Sequence, residues 1–152
     1  MKILMVCLGN ICRSPLADGL LRDKINLHNL DVEVDSCGTS SHHVGELPDE
    51  RMRETALKQG CDLSNLRARQ FKQSDFKAFD VIYVMDSSNY NNVIKLANSE
   101  VDKQKVKLFL NELYLNKNMA VPDPYFGGEQ GFEDVFELVD KTTDVIIEKL
   151  KQ

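Results

Sequence analysis

The chain has 152 residues, and a domain of that size buries roughly 68–70% of the surface its unfolded chain exposes, so one domain with a sizeable core is expected. Hydrophobic residues make up 42% and charged residues 28%, an ordinary globular composition that argues against disorder. A formal net charge of −5 argues against a broad nucleic-acid-binding face, so an anionic ligand would need a locally positive site.

No apolar run approaches the ~20 residues needed to cross a bilayer. The opening stretch MKILMVCLGN has one lysine and a short apolar run, with no small-residue cleavage site after it, so no signal peptide is expected. The four cysteines (Cys7, Cys12, Cys37, Cys61) show neither a C-x-x-C pair nor zinc-ligand spacing. A chain of this size without a secretion signal needs no disulfide staples, so they read as thiols in a reducing cytoplasm.

Taken in chain order, strands and helices alternate. Lys2 to Leu8 (KILMVCL) is apolar almost throughout, as a buried parallel strand is. Ser14-Pro15 marks a helix start, with proline at the first helical position, and Leu16, Ala17, Leu20, Leu21 and Ile25 form its apolar stripe. Val32 to Gly38 alternates as a second strand. Pro48 opens a helix that runs to about Gln59 and closes at Gly60. Phe79 to Asp86 (FDVIYVMD) reads as a central strand, Ser87 to Ala97 as a helix and Val106 to Leu110 as a fourth strand. Leu115 to Gly131 lacks periodicity and reads as a long surface loop, the kind that often carries function. Phe132, Val135, Phe136, Val139, Thr143, Ile146 and Leu150 then fall at helical spacing in an acidic last helix. Strands separated by helices imply parallel pairing through right-handed crossovers, hence a doubly wound α/β sheet with ligands beyond the carboxyl ends of its strands.

The segment MVCLGNICRSP (Met5 to Pro15) lies at such an end, between the first strand and the first helix. Gly9 and Asn10 tolerate left-handed backbone angles, so the loop Leu8 to Cys12 can turn N–H groups inward as an anion nest. The helix N-terminus at Ser14 adds unsatisfied N–H groups and a positive dipole end, and Arg13 adds a planar fork for two phosphate oxygens. A thiol at Cys7, beneath the cradled anion, feels the dipole and the guanidinium, and both favour its thiolate. Such a thiolate is a nucleophile aimed at phosphorus, and Ser14 can donate a hydrogen bond to it. Taken singly, each residue has a plainer reading: a small buried filler, a turn, a solvated arginine. Together, in strand–loop–helix order, they point to catalysis.

Transfer of phosphate from an alkoxide or phenoxide needs an acid. Asp123, made extended by Pro124 and carried on the long loop, is the candidate, with Tyr125 and Phe126 as apolar walls for an aromatic leaving group. The competing reading is a turn signal beside core aromatics.

These residues resemble the low-molecular-weight protein tyrosine phosphatases. VCLGNICRSP is similar to that family's phosphate-binding loop and DPY to its general-acid loop, and the likeness extends through DSCGTSS (Asp35 to Ser41), RARQF (Arg67 to Phe71) and VMDSSN (Val84 to Asn89). The resemblance implies Cys7 as the nucleophile of a phosphocysteine intermediate, Arg13 as ligand of phosphate and transition state, and Asp123 as acid, then base. It implies a three-layer α/β fold, four parallel strands in order 2-1-3-4 with helices on both faces, and no metal or organic cofactor. The phosphate-binding residues would be Leu8, Gly9, Asn10, Ile11, Cys12, Arg13 and Ser14. Asn10 would hold a left-handed conformation supported by Ser14 and Ser36. The family's supporting histidine is Leu66 here, which weakens that support or moves it elsewhere. The family's aromatic wall falls near His42-His43, placing His42 with Tyr125 and Phe126 on the substrate rim. Relatives that act on phosphoarginine tend to carry threonine where this chain has Ile11, and Ile11 favours tyrosine.

The expected partner is a phosphotyrosine-containing protein, with no nucleic acid, no membrane and a monomer or weak dimer in the cytoplasm. Cys12, close to Cys7 if the loop curls round one anion, is the expected redox partner. Arsenate reduction on the same fold needs two relay thiols, typically beyond the third strand, and VMDSSNYNN holds none. A phosphocysteine carrier of a sugar-uptake system generally lacks the arginine and the acid loop. A non-catalytic phosphotyrosine-binding domain is disfavoured because no part of the site is missing.

Overall fold

Successive residues of a strand face opposite sides, and here both sides are apolar. In β1 (Lys2–Cys7), Ile3 and Met5 enter one core while Leu4 and Val6 enter another. The computed structural model describes residues 1–126 and 128–152, residue 126 by its backbone alone. After β1 come α1 (Arg13–Leu27), β2 (Glu33–Gly38), α2 (Glu50–Lys58), α3 (Asp75–Ala78), β3 (Val81–Val84), α4 (Ser87–Ile94), α5 (Glu100–Gln104), β4 (Val106–Leu108) and α6 (Glu129–Leu150).

The four strands pair in parallel in the order β2-β1-β3-β4, as the resemblance implied. The larger core joins Ile3, Met5, Tyr83 and Met85 to Leu16, Leu20 and Leu21 of α1, Met52 and Ala56 of α2, and Phe132, Val135, Val139 and Ile146 of α6. The smaller packs Leu4, Val6, Ile82 and Val84 against Phe71, Phe76 of α3 and Val93 of α4. Helices therefore cover both faces of the sheet, and β1 sits inside it with its carboxyl end at the mouth.

Several boundaries differ from those expected. Pro15 is the third residue of α1, because Cys12 is the N-cap; the first turn's N–H groups have no intrahelical partner, so proline still removes no bond. Pro48 precedes α2 rather than opening it, and Asp49 caps the helix by accepting the Arg51 N–H at 2.8 Å. β3 is shorter than Phe79 to Asp86, and β4 stops at Leu108 and runs into a 3-10 turn, Phe109–Glu112. α6 begins at Glu129, inside the segment expected to be loop, and a second 3-10 turn, Pro124–Phe126, lies there too. α3 and α5 have four and five residues, too few to show a helical period.

Candidate active site

The loop from Cys7 to Arg13 is tied to the end of β2. The Cys7 and Leu8 carbonyls accept the Thr39 and Ser40 N–H groups, each at 2.9 Å. A side chain at Gly38 would forbid this approach, since a Cβ there would lie 2.7 Å from the Leu8 carbonyl oxygen and 3.0 Å from the Asn10 nitrogen. Of the two residues expected to bend left-handed, only Asn10 does, at φ 58°. Gly9 instead keeps the space tight against His43: a Cβ there would lie 3.0 Å from His43 Cδ2, so that ring would have to shift.

Asn10 is 2% exposed and is the frame of the loop. Its Nδ2 donates to Ser14 Oγ at 2.8 Å and to Ser36 Oγ at 3.1 Å, and its Oδ1 accepts the Arg69 N–H at 3.1 Å. Its own N–H donates to Cys7 Sγ at 3.3 Å. Ser14 Oγ lies 2.9 Å from Cys7 Sγ and 3.2 Å from the Cys37 carbonyl oxygen, so its one proton can serve either. Arg69 helps to hold Asn10 through its main-chain amide. Its guanidinium is anchored to Asp35 at 3.0 Å and Asp75 at 3.1 Å, while Leu66 packs on the larger core.

Arg13 is 3% exposed and enters the site from the first turn of α1. Its Nη1 donates to Asp86 Oδ2 at 2.7 Å and to the Val121 carbonyl at 3.1 Å, and its Nη2 lies 3.7 Å from Asp123 Oδ2. Burial pulls its pKa down, but Cys7, Asp86 and Asp123 outweigh that and raise it, so the guanidinium stays charged. Asp123 is about one-third exposed, and its Oδ1 accepts the Tyr125 N–H at 3.1 Å.

These groups open onto one cavity of about 160 Å³, lined by Cys7, Leu8, Gly9, Ile11, Cys12, Arg13, Ser40, His42, His43, Asp123 and Tyr125. His42 and Tyr125 both line this cavity, while the Phe126 side chain lies outside the described residues. Asn10 and Ser14 are not wall residues; they support the loop from behind. Cys12 shares the wall with Cys7, and burial first, then Asp49, pushes its thiol pKa far up. All four cysteines are free and buried, and the described residues hold no cluster suited to a metal ion.

Sequence reasoning missed Asp86. Its Oδ1 caps α4 by accepting the Asn89 N–H at 2.8 Å while its Oδ2 holds Arg13. An aspartate between a strand and Ser-Ser-Asn does signal a helix cap, but nothing local signals the arginine.

A family model described as low molecular weight phosphotyrosine protein phosphatase matches residues 2–152. The low molecular weight phosphotyrosine protein phosphatase of Schizosaccharomyces pombe is 42% identical over 143 residues, covering 91% of this chain and 90% of the relative. The human enzyme of that name is 35% identical over 97% of this chain and 94% of its own. The crystal structure of a protein tyrosine phosphatase from Entamoeba histolytica with Hepes in the active site superposes with a TM-score of 0.92, at 38% identity over 99% of this chain and 97% of that one. With this site on this fold and these relatives, the chain belongs to the low molecular weight phosphotyrosine protein phosphatase family, a family of hydrolases.

Proposed function

We propose that the chain, working as one phosphatase domain, removes phosphate from phosphotyrosine in protein substrates by two successive phosphoryl transfers. The observation that carries this is the convergence of Cys7, Arg13 and Asp123 on one cavity with Tyr125 and His42 at its rim. The phosphate would sit on the loop Leu8–Ser14, facing the N-terminal end of α1 and Arg13, whose charge meets that of the transition state. Asp86 and Val121 hold Nη1, which leaves the rest of the fork for phosphate oxygens.

In the first transfer the Cys7 thiolate attacks phosphorus, the bond to the phenolic oxygen breaks, and Asp123 gives that oxygen its proton. In the second, water attacks the phosphocysteine, Asp123 takes the water's proton, and the P–S bond breaks to release inorganic phosphate and the thiolate. Ser14 and the Asn10 N–H, both at the sulfur, stabilise it as nucleophile and again as leaving group. Neither transfer calls on a metal or organic cofactor. The same reading gives phosphoproteins as substrates, no nucleic acid or membrane partner, a monomer or weak dimer, and a cytoplasmic setting in which Cys12 protects Cys7 from over-oxidation. No helix among the described residues is long and apolar enough to cross a membrane.

The test is turnover of phosphotyrosine, phosphoserine and phosphoarginine side by side, with Cys7→Ser as control. Phosphotyrosine should be preferred, and Cys7→Ser should abolish turnover while phosphate-analogue binding persists. A preference for either other substrate refutes the specificity, and substantial activity in the serine variant refutes the nucleophile.

A further inference from the structure

Arg51 has no part in the scheme above, yet it is held on several sides. It lies in the first turn of α2 with its side chain 47% exposed, where an arginine is ordinarily solvated. Its Nε donates to Asp49 Oδ1 at 3.1 Å, and its Nη2 donates to Asp49 Oδ2 at 3.0 Å and to the Tyr125 carbonyl at 3.2 Å. Its Cζ lies 4.6 Å from the centroid of the Phe132 ring in α6 and 5.4 Å from that of Tyr125. A planar fork that uses its edges and faces together is a property of arginine that lysine lacks.

The grip on Tyr125 matters because of what Tyr125 does next. Its carbonyl is held by Arg51 and its N–H binds Asp123 Oδ1 at 3.1 Å, while Asp123 Oδ2 is the oxygen nearest Arg13. At the other end, the Asp49 N–H donates to the Ile11 carbonyl at 2.8 Å. A continuous path therefore runs from Ile11 through Asp49, Arg51 and Tyr125 to Asp123, joining the nucleophile's loop to the acid's loop. Upstream of Asp123 the same loop is fixed by Val121, whose N–H donates to the Met85 carbonyl at 2.8 Å and whose carbonyl accepts from Arg13. Downstream, Arg51 holds the Tyr125 carbonyl.

We propose that Arg51 is a positioning residue for the general acid: braced by Asp49 against the phosphate-binding loop, it clamps Tyr125 and so sets the placement of the Asp123 carboxyl. The inference rests on the reading of Asp123 as the acid. It separates Arg51 from a merely structural arginine, because a misplaced acid harms only those substrates that need the proton.

The test measures kcat/KM, which reports transfer to Cys7, for aryl phosphates with leaving-group pKa values from about 5 to about 10, normalised by active-site titration. Arg51→Ala should lose about tenfold at the basic end and less than about twofold at the acidic end, a fraction of what general acids contribute. Arg51→Lys, keeping charge but not the fork, should fall between wild type and alanine. In an Asp123→Asn background, Arg51→Ala should add less than about twofold, because the group it positions is gone. A wild-type slope, a uniform loss across the series, or full additivity with Asp123→Asn would overturn the proposal. A uniform loss for Asp123→Asn alone would remove the acid assignment itself, and this inference with it.

Discussion

Replacing Asn10 by alanine tests whether the phosphate-binding loop is held by its own side-chain frame. Three side-chain hydrogen bonds disappear: two donated to Ser14 and Ser36 and one accepted from the Arg69 amide. At a net of about 1 kcal/mol each for bonds in a buried setting, their loss costs about 3 kcal/mol. Alanine must also hold φ 58°, which adds about 1–2 kcal/mol. The total, about 4–5 kcal/mol, is a large share of the roughly 5–15 kcal/mol that stabilises a domain. At ~2–4 °C per kcal/mol for a protein of this size, the melting temperature should fall by about 8–20 °C. Asn10→Gly removes the same bonds without the strain, less about 0.4–1 kcal/mol for a freer unfolded chain, so it should melt slightly above the alanine variant. Inhibition by inorganic phosphate should weaken in both, since the Asn10 N–H no longer stays fixed at the Cys7 sulfur. Thermal melts and phosphate inhibition constants decide the matter. A fall of under about 3 °C with unchanged phosphate inhibition would refute the view that Asn10 frames the loop.

Arg13→Lys keeps the charge but loses the fork, so kcat/KM should fall by about a hundredfold or more; near wild-type kinetics would mean that Arg13 does not touch the phosphate. Asp18, fully buried in α1, has its pKa raised to about 6, chiefly by burial and against the opposing pull of Arg22 and Ser36. The native state then keeps a proton that the unfolded chain loses first, so stability should fall as pH rises between about 4 and 6, by about 3 kcal/mol in urea melts. Asp18→Asn should flatten that window, and an unchanged slope would refute the assignment. Peroxide should inactivate the enzyme reversibly through a Cys7–Cys12 disulfide that a dithiol reduces, and Cys12→Ser should leave much more activity unrecoverable. Mass spectrometry showing only a Cys7 sulfinate, or Cys7 bonded to Cys37 or Cys61, would contradict this.

What the sequence carried by itself is what depends on neighbours along the chain. The apolar run at Lys2 to Leu8, the left-handed tolerance of Asn10, the arginine at the helix start and the extended aspartate before Pro124 are local facts. From them the α/β pattern, the loop and the candidate side chains Cys7, Arg13 and Asp123 were legible. The family likeness added the strand order, which periodicity alone does not specify. The tertiary structure decided the contacts between residues far apart in sequence: Asp86 on Arg13, the Arg69 amide on Asn10, Gly38 beneath Leu8, Arg51 on Tyr125. Asp86 shows the limit most plainly. Its capping of α4 depends on three residues of chain and is readable there, whereas its hold on Arg13 exists only because parallel pairing of β1 with β3 brings their carboxyl ends together. Hydrogen bonds and charge pairs act over a few ångströms of space, and only the folded sheet turns a separation of 73 residues into a contact of 2.7 Å.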